Sequence, residues 1–401
     1  MSAPRVELVF FDAGGGHRAA ANALRSAAEE HPEAVHWDVR LLNLQDLLEK
    51  IDPTRKYLGI RVEDIYNSMV RRQVTMGMDR LMDFLQWVVR KRHGRIVELL
   101  QEHWSTNCPD LVVSLIPHFN RALFDGVAAM GPQRAAQGLP TPELLTVLTD
   151  LADYPPHFWL EKQDQDVVCG TEKAVEQARA IGVPENRIHR ASGMIVHPRF
   201  YRHDVGDRHE EHLRLGFDPS RPTGLVSFGG QGSRTMLDIA RQVERCVDRL
   251  EAGVQLIFVC GHNESLRRQL ESLPTRYAKH VEGYSREMPR WLGLSDFFVG
   301  KPGPGSISEA LLMGLPVIVK GYGGSIPQER YNLEWVRERE VGIVVEQQDG
   351  LGEALVRLLD PAQLVAFRRR VAALDNRAIF EVMDLMAAKL AAAALPQSAA
   401  A

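Results

Sequence analysis

Apolar runs of strand length alternate with longer stretches of helical periodicity along most of the chain. This alternation predicts parallel βαβ units and therefore an α/β fold. Helices are predicted at residues 17–30, 172–180 and 361–390. The predicted strands lie at residues 6–11, 111–115, 144–148, 166–169, 224–228, 255–260, 297–299, 316–319 and 342–345.

The alternating pattern is interrupted once, by a polar and turn-rich stretch at residues 203–223. A chain of 401 residues is too long for one typical core, so we place a domain linker in this stretch. The prediction is an N-terminal domain at residues 1–205 and a second domain at 222–375. A C-terminal helix and tail at 376–401 is a candidate for packing back on the first domain.

Composition narrows the range of functions. Hydrophobic residues make up 45% of the chain and the net charge is -4, which argues against a general nucleic-acid binder. The four cysteines form no CxxC pair and have no histidines at metal-ligand spacing, so we expect a reduced, cytoplasmic protein without a metal site. No segment resembles a signal peptide or approaches the roughly 20 apolar residues of a membrane span. Any membrane contact is therefore predicted to be peripheral.

A glycine-rich turn follows the first predicted strand. Gly14, Gly15 and Gly16 allow a sharp turn, and the helix that follows offers unpaired N–H groups to an anion. His17 stands at the start of that helix, where an imidazole can take a proton from a hydroxyl near neutral pH. The turn is neither a P-loop nor a GxGxxG motif, and a tight turn capped by His17 is the alternative interpretation.

A second glycine-rich turn follows the strand predicted at 224–228. It contains Gly230, Gln231 and Ser233, whose backbone and side-chain donors suit a diphosphate. A plain βα turn is the alternative.

The longest motif covers residues 300–310, in which Gly303, Pro304 and Gly305 form stacked Gly-Pro turns just ahead of Ser306. Ser306 and Glu309 have the spacing of a capping box, which would give them a structural role. A carboxylate one turn into a helix also accepts hydrogen bonds from both ribose hydroxyls of a nucleotide, and we favour this function for Glu309.

A polar segment at residues 321–332 carries Gln328, Glu329 and Asn332, which are spaced to share one helix face or its entrance. Such groups can bind sugar hydroxyls. The alternative is a polar loop followed by an exposed helix start.

Together these motifs resemble those of glycosyltransferases with the GT-B fold. The chain looks most similar to the monogalactosyldiacylglycerol synthases and the processive diacylglycerol glucosyltransferases, and more distantly to the peptidoglycan N-acetylglucosaminyltransferase. The resemblance implies two Rossmann-like, doubly wound domains facing across a cleft. It runs from about residue 6 to residue 350 and rests on residues 14–19, 108–110, 149–151, 282–284, 301–309 and 328–332.

The resemblance also implies roles for matching residues. His17 would be the catalytic base, Glu309 the ribose ligand, and Gln328 and Glu329 the contacts of the donor sugar. The uracil ring would be held at Gly283, Tyr284 and Met288, and the diphosphate at Gly303, Gly305 and Ser306 with Gly230, Gln231 and Ser233. The acceptor side would contain Gly14, Gly15, Gly16 and Asp150.

Two aspartates have open roles. Asp12 and Asp150 are candidates for orienting His17 or positioning the acceptor, with strand-end capping as the alternative. Asp150 and Asp153 are three residues apart and do not form an Asp-x-Asp pair, so we expect no metal requirement. The negative charge of the leaving UDP would instead be stabilised by helix dipoles and loop N–H groups.

A basic segment interrupts the acidic chain. Between residues 71 and 95, seven basic and two acidic side chains give a local net charge of +5. Apolar residues at helical spacing accompany them, which indicates a helix that docks on an anionic bilayer. The alternative is a core-packed helix with a solvated face. The residues assigned to membrane contact are Arg71, Arg72, Trp87, Arg90, Lys91 and Arg92.

The sequence therefore predicts inverting transfer of galactose or glucose from a UDP-hexose to a diacylglycerol-type lipid. The enzyme would act peripherally on the inner face of the cell membrane, without a metal or other cofactor. Two alternatives are a nucleotide-sugar 2-epimerase and a catalytically silent lipid- or nucleotide-binding protein. The choice between galactose, glucose and N-acetylglucosamine stays open, as do the exact lipid acceptor, processivity and oligomeric state.

Overall fold

The computed structural model describes residues 3–12, 15–49, 78–322 and 326–394. They form two compact units, of which the second is Arg199–Asp375. The first comprises the described residues up to Pro198 and those from Asn376 onward. The chain thus enters the second unit ahead of the stretch 203–223 in which the sequence places the linker.

The first unit is built on a parallel sheet of six strands. They are β1 (Arg5–Phe10), β2 (Asp38–Asn43), β3 (Leu111–Ser114), β4 (Glu143–Val147), β5 (Asp166–Cys169) and β6 (Ile188–Arg190). Their order is β2-β1-β3-β4-β5-β6, so the strand order reverses between β1 and β3. Ligands of such sheets bind at the carboxyl ends of the strands that flank this reversal, the switch point.

Helices connect these strands. They are α1 (Gly16–Glu30), α2 (Leu44–Leu48), α3 (Met78–Lys91), α4 (His93–Asn107), α5 (Asn120–Ala129), α6 (Gly131–Ala136) and α7 (Glu172–Ala180). Helix α4 packs through Leu99, Leu100 and Trp104, which are fully buried. The Trp104 indole donates a hydrogen bond to Glu7 of β1, so the burial of this carboxylate is compensated.

The second unit has its own parallel sheet of six strands. They are β7 (Thr223–Ser227), β8 (Gln255–Val259), β9 (Lys279–Glu282), β10 (Phe297–Gly300), β11 (Val317–Lys320) and β12 (Gly342–Val345). The order β12-β11-β10-β7-β8-β9 puts the switch point between β7 and β10. The loops predicted to hold the donor diphosphate follow these two strands.

Eight helices with described bounds accompany this sheet. They are α8 (Arg208–Arg214), α9 (Thr235–Cys246), α10 (Glu264–Ser272), α11 (Met288–Gly293), α12 (Pro304–Leu312), α13 (Arg330–Glu338), α14 (Leu351–Leu359) and α15 (Pro361–Ala372). Helix α8 lies inside the stretch that the sequence assigns to the linker. Asp207 caps it by accepting hydrogen bonds from the N–H groups of His209 and Glu210, which explains why this polar stretch is helical.

The last helix, α16 (Ala378–Ala394), returns to the first unit. Its Lys389 ammonium lies 2.6 Å from a Glu143 carboxylate oxygen and 2.8 Å from one of Asp166. Ile379 and Met383 of the same helix are fully buried. The C-terminal helix is therefore part of the core of the first unit.

Candidate functional site

The first predicted loop lies at the carboxyl end of β1, beside the switch point of the first sheet. Gly15 has a left-handed backbone (φ 84°) at the position that precedes α1, which a side chain would strain. A Cβ atom placed on Gly15 or Gly16 would meet no described atom within 4 Å, so the space beside this turn is open to a ligand. Gly14 lies outside the described residues.

His17 is fixed in the first turn of α1 by residues from elsewhere in the first unit. Its Nδ1 atom lies 3.0 Å from the Thr149 hydroxyl, and its ring lies 5.8 Å from the Trp159 ring. Burial lowers the pKa of His17 to about 4, and a hydrogen bond with the Leu115 backbone opposes this shift. The imidazole is therefore neutral at pH 7 and able to accept a proton.

The two aspartates predicted near His17 have other partners. Asp150 accepts a hydrogen bond of 2.8 Å from the Trp159 indole, whose ring lies next to that of His17. Asp12 forms an exposed ion pair with Arg18, also at 2.8 Å. Thr149, to which the sequence assigned no role of its own, contacts the imidazole directly.

A second histidine, which was not predicted, follows β3 on the other side of the switch point. His118 has a left-handed backbone (φ 66°), and its N–H donates a 2.7 Å hydrogen bond to the Phe158 carbonyl. Its ring packs edge-on against Phe158 at 4.1 Å. Burial lowers the pKa of His118 to about 3, and the charges of Arg90 and His17 act in the same direction. This side chain is neutral as well.

In the second unit, the loop after β7 is held by the loop after β8. The His262 N–H donates a 2.8 Å hydrogen bond to the Gly230 carbonyl. A Cβ atom on Gly232 would lie 2.4 Å from the Cys260 carbonyl oxygen, so the close approach of the two loops needs glycine there. Ser233 accepts a hydrogen bond from the Thr235 N–H at the start of α9. Gln231 is exposed on the same loop.

The loop after β10 leads into α12, which begins at Pro304 with Gly303 at its N-cap. Ser306 and Glu309 lie inside the helix, so the capping-box interpretation is wrong. Gly305 is exposed, and no described atom lies within 4 Å of a Cβ placed on it. The first turn of α12 therefore presents open backbone N–H groups beside the switch point.

Glu309 occupies the second turn of α12 and is half-buried. Burial raises the pKa of its carboxyl to about 7, and the Arg199 charge opposes this shift. In the described parts of the chain, its carboxylate has neither a hydrogen-bond donor nor an ion-pair partner. A ligand with hydroxyl groups would supply the missing donors.

The predicted sugar-binding residues are coupled to the loop after β10. Gln328 and Glu329 are buried in a short 3-10 helix, Pro327–Glu329. The Glu329 carboxylate accepts a 3.0 Å hydrogen bond from the ammonium group of Lys301, which is in that loop. Asn332 is completely buried and donates to the Pro302 carbonyl at 2.7 Å. Asn332 therefore holds the loop and is not placed to bind sugar, contrary to the prediction.

The residues predicted at the uracil ring lie where β9 ends and α11 begins. The Tyr284 ring is 53% exposed and stacks on the His262 ring at 4.1 Å and 13°. Gly283 donates its N–H to the Glu282 carboxylate at 2.9 Å, and Met288 starts α11. Tyr284 thus presents a flat aromatic face, and His262, which supports it, was not predicted.

Helix α3 carries three of the six predicted membrane residues, Trp87, Arg90 and Lys91. Met82 packs into the first unit, whereas Phe84 and Trp87 are 57% and 55% exposed and stack at 5.9 Å. Arg90 and Lys91 are exposed on the last turn, and Arg92 follows it. Arg71 and Arg72 lie outside the described residues. The exposed apolar surface is thus an aromatic pair beside the basic cluster, and Phe84 was not predicted.

The described ranges contain no group of three or more His, Cys, Asp or Glu side chains that could hold a metal ion. In these ranges, none of the helices has the combination of length and apolar character that crossing a membrane requires.

The sequence of the chain is similar to those of known glycosyltransferases. Residues 225–394 match the model of the glycosyltransferase family 28 C-terminal domain. The chain is 27% identical over 358 residues to the "probable monogalactosyldiacylglycerol synthase 2, chloroplastic" of Oryza sativa subsp. japonica, covering 85% of this chain and 71% of that protein. It is 26% identical over 370 residues to the chloroplastic monogalactosyldiacylglycerol synthase of Spinacia oleracea, covering 85% of this chain and 63% of that protein.

Solved structures share the fold at lower identity. The calicheamicin glycosyltransferase CalG4 matches with a TM-score of 0.58 and 14% identity, over 98% of this chain and all of that one. A chain assigned as a UDP-N-acetylglucosamine 2-epimerase from Listeria monocytogenes matches with a TM-score of 0.56 and 16% identity, over 96% of this chain and 95% of that one. The chain therefore has the GT-B fold of these solved structures, and its residues 225–394 are similar to the C-terminal domain of glycosyltransferase family 28.

Proposed function

We propose that the chain transfers a hexose, galactose or glucose, from a UDP-sugar to a diacylglycerol-type lipid, with inversion at the anomeric carbon. The similar proteins of rice and spinach are named monogalactosyldiacylglycerol synthases, which motivates a lipid acceptor and a hexose. The observation that carries the proposal is the half-buried Glu309 carboxylate at the switch point of the second sheet. Within the described residues, this carboxylate has no partner.

The donor half of the proposal follows from the loops at this switch point. Open N–H groups at the start of α12, together with the glycine loop after β7, suit the two phosphates of UDP. The Glu309 carboxylate would accept hydrogen bonds from the ribose hydroxyls. Tyr284 would pack on the uracil ring, and the Lys301–Glu329 pair would lie where the diphosphate meets the sugar.

The acceptor half centres on His17. Its neutral imidazole takes the proton of the acceptor hydroxyl, and the oxygen forms a bond to the anomeric carbon. The bond between this carbon and the β-phosphate oxygen breaks, and UDP leaves with the electron pair. A single displacement of this kind inverts the anomeric configuration.

A lipid acceptor has to be reached at a membrane surface, and helix α3 has suitable features for this. Its exposed Phe84–Trp87 pair would insert at the interface, and Arg90, Lys91 and Arg92 would attract anionic lipid headgroups. The position on the inner face of the cell membrane stays a prediction. The rice and spinach relatives are named as chloroplastic proteins.

The test is a transfer assay with radiolabelled UDP-galactose, UDP-glucose and UDP-N-acetylglucosamine, each offered with dioleoylglycerol in vesicles containing anionic lipid. A lipid product one hexose heavier than the acceptor is expected with one donor, and it should be lost in His17→Ala. Free sugar released from donor alone would instead indicate a 2-epimerase. Absence of turnover with every donor would indicate a silent binding protein. An arm with EDTA tests the prediction that no divalent cation is needed.

A further inference from the structure

The first unit contains a cavity of about 290 Å³, of whose lining residues the proposed function uses only Arg90, at the membrane surface. Its volume is close to the lower bound of roughly 300 Å³ for small-molecule sites. Helices α3 and α5 form much of its wall, and the loop after β3 contributes as well. The polar residues that matter are Arg90, His93, His118, Arg121, Asp125 and Glu161.

Some charged side chains on this wall have a partner of opposite charge and others do not. Asp125 accepts hydrogen bonds from His93 at 2.8 Å and from Arg121 at 3.3 Å. Arg90 and Glu161, in contrast, have no hydrogen-bond or ion-pair partner among the residues that the structure describes. One unpaired cation and one unpaired anion suit a neutral ligand with hydroxyl groups better than a phosphate, which Glu161 would repel.

His118 adds a third polar group that lacks a partner. Both of its ring nitrogens are buried and, within the described ranges, make no hydrogen bond. A neutral imidazole offers one donor and one acceptor, which matches the two functions of a hydroxyl group. Its left-handed backbone is uncommon for a residue other than glycine, and such conformations cluster at functional sites.

The cavity also adjoins the surface proposed to meet the membrane. Arg90 lines the cavity from α3, and Trp87 is exposed one turn earlier on the same helix. A lipid whose acyl chains stay in a bilayer beside Phe84 and Trp87 could therefore place its polar head in the cavity.

We propose that this cavity binds the neutral, polyhydroxyl head of a glycosylated lipid acceptor through Arg90, His118 and Glu161. The inference deepens the proposed function and depends on it for the lipid nature of the acceptor. A diacylglycerol offers a single hydroxyl, which uses few of these groups. A hexosyl head offers several hydroxyls and can satisfy all three.

Calorimetric binding to the full chain, without vesicles and in the presence of UDP, tests the inference. The probes are dioctanoylglycerol and its β-glucosyl derivative, both below their aggregation limits. The wild type should bind the glucosyl lipid about tenfold more tightly. Arg90→Met and Glu161→Gln should each remove most of this preference, as should His118→Phe, if it folds.

Arg95→Met is the matched control. It removes one positive charge near the same helix, but Arg95 forms an exposed ion pair with Glu98 and does not line the cavity. Its affinity for the glucosyl lipid should equal that of the wild type. Equal affinities in Arg90→Met, Glu161→Gln and the wild type would overturn the inference, as would tighter competition by inorganic phosphate than by the glucosyl lipid.

Different experimental results would overturn the proposed function and the inference about the cavity. Hexose transfer to dioleoylglycerol without any preference for the glucosyl lipid overturns the inference and leaves the proposed function. Variant-sensitive binding of the glucosyl lipid without any transfer supports the cavity and overturns the proposed function.

Discussion

A half-buried carboxylate without a partner weakens the fold that holds it, and this property gives a test of Glu309. Burial raises the pKa of Glu309 from 4.5 to about 7, so the folded unit favours the protonated form. The stabilisation from this proton is fully present below pH 4.5 and is lost as the pH rises through 7. Glu309→Gln keeps the size of the side chain and resembles the protonated form at every pH.

The size of the effect follows from the shift in pKa. A difference of roughly 2.5 pKa units corresponds to about 3 kcal/mol. At pH 8, where wild-type Glu309 is charged both folded and unfolded, Glu309→Gln should raise the free energy of unfolding of the second unit by up to about 3 kcal/mol. At pH 5, where the folded protein already binds the proton, the gain should shrink to about 1 kcal/mol.

Urea unfolding at the two pH values measures this difference in the free energy of unfolding. Titration calorimetry measures the affinity for UDP. Glu309→Gln should weaken UDP binding by roughly tenfold at pH 8, because hydrogen bonds to a charged acceptor are lost. Glu334→Gln, an exposed carboxylate of α13, serves as control and should change neither quantity. A Glu309→Gln protein that is less stable at pH 8, or one that binds UDP as the wild type does, would refute the reasoning.

The other predictions concern the base, the diphosphate loop and the membrane surface. With both substrates saturating, kcat should stay nearly constant from pH 8 to pH 5.5 because the pKa of His17 is about 4; a tenfold fall would indicate an ordinary imidazole. His17→Ala should lower kcat by about 10²- to 10⁴-fold and keep UDP affinity. Lys301→Met should weaken UDP binding about tenfold, since it removes a cation and leaves Glu329 unpaired. Replacing Phe84 and Trp87 with serine should reduce retention on anionic liposomes in a sedimentation assay, and unchanged retention would contradict the role of α3.

Strands buried on both faces were predictable from the sequence, whereas strands at the sheet edges mostly were not. All nine predicted strands are present with ends within one residue of the prediction. The three missed strands, β2, β6 and β9, each lie at the edge of a sheet. Their residues are largely half-exposed and include charged side chains, so they lack the continuous apolar run of a central strand.

The loops of the site were predictable for a similar reason, since glycine clusters after a strand indicate a turn wherever they occur. The partners of the functional side chains were not. Thr149 contacts His17 across 132 positions of sequence, and Glu329 contacts Lys301 across 28. His118 gave no signal beyond a position just after an apolar strand, because its ring packs against Phe158, which is distant in the sequence.

Buried carboxylates elsewhere in the molecule have hydrogen-bond partners, and this contrast supports a ligand-binding role for Glu309. The described residues include five carboxylates with little exposure, and all have partners: Glu7, Asp150, Asp153, Asp166 and Glu329. Glu309 is more exposed than these five, but burial still raises its pKa, so a partner that donates hydrogen bonds would stabilise its charged form. Glu309 lacks such a partner, and it lies on the helix that follows the loop at the switch point. Glutamine at this position would avoid the cost of the unpaired charge, so we expect the carboxylate to serve a bound molecule that supplies the missing hydrogen bonds.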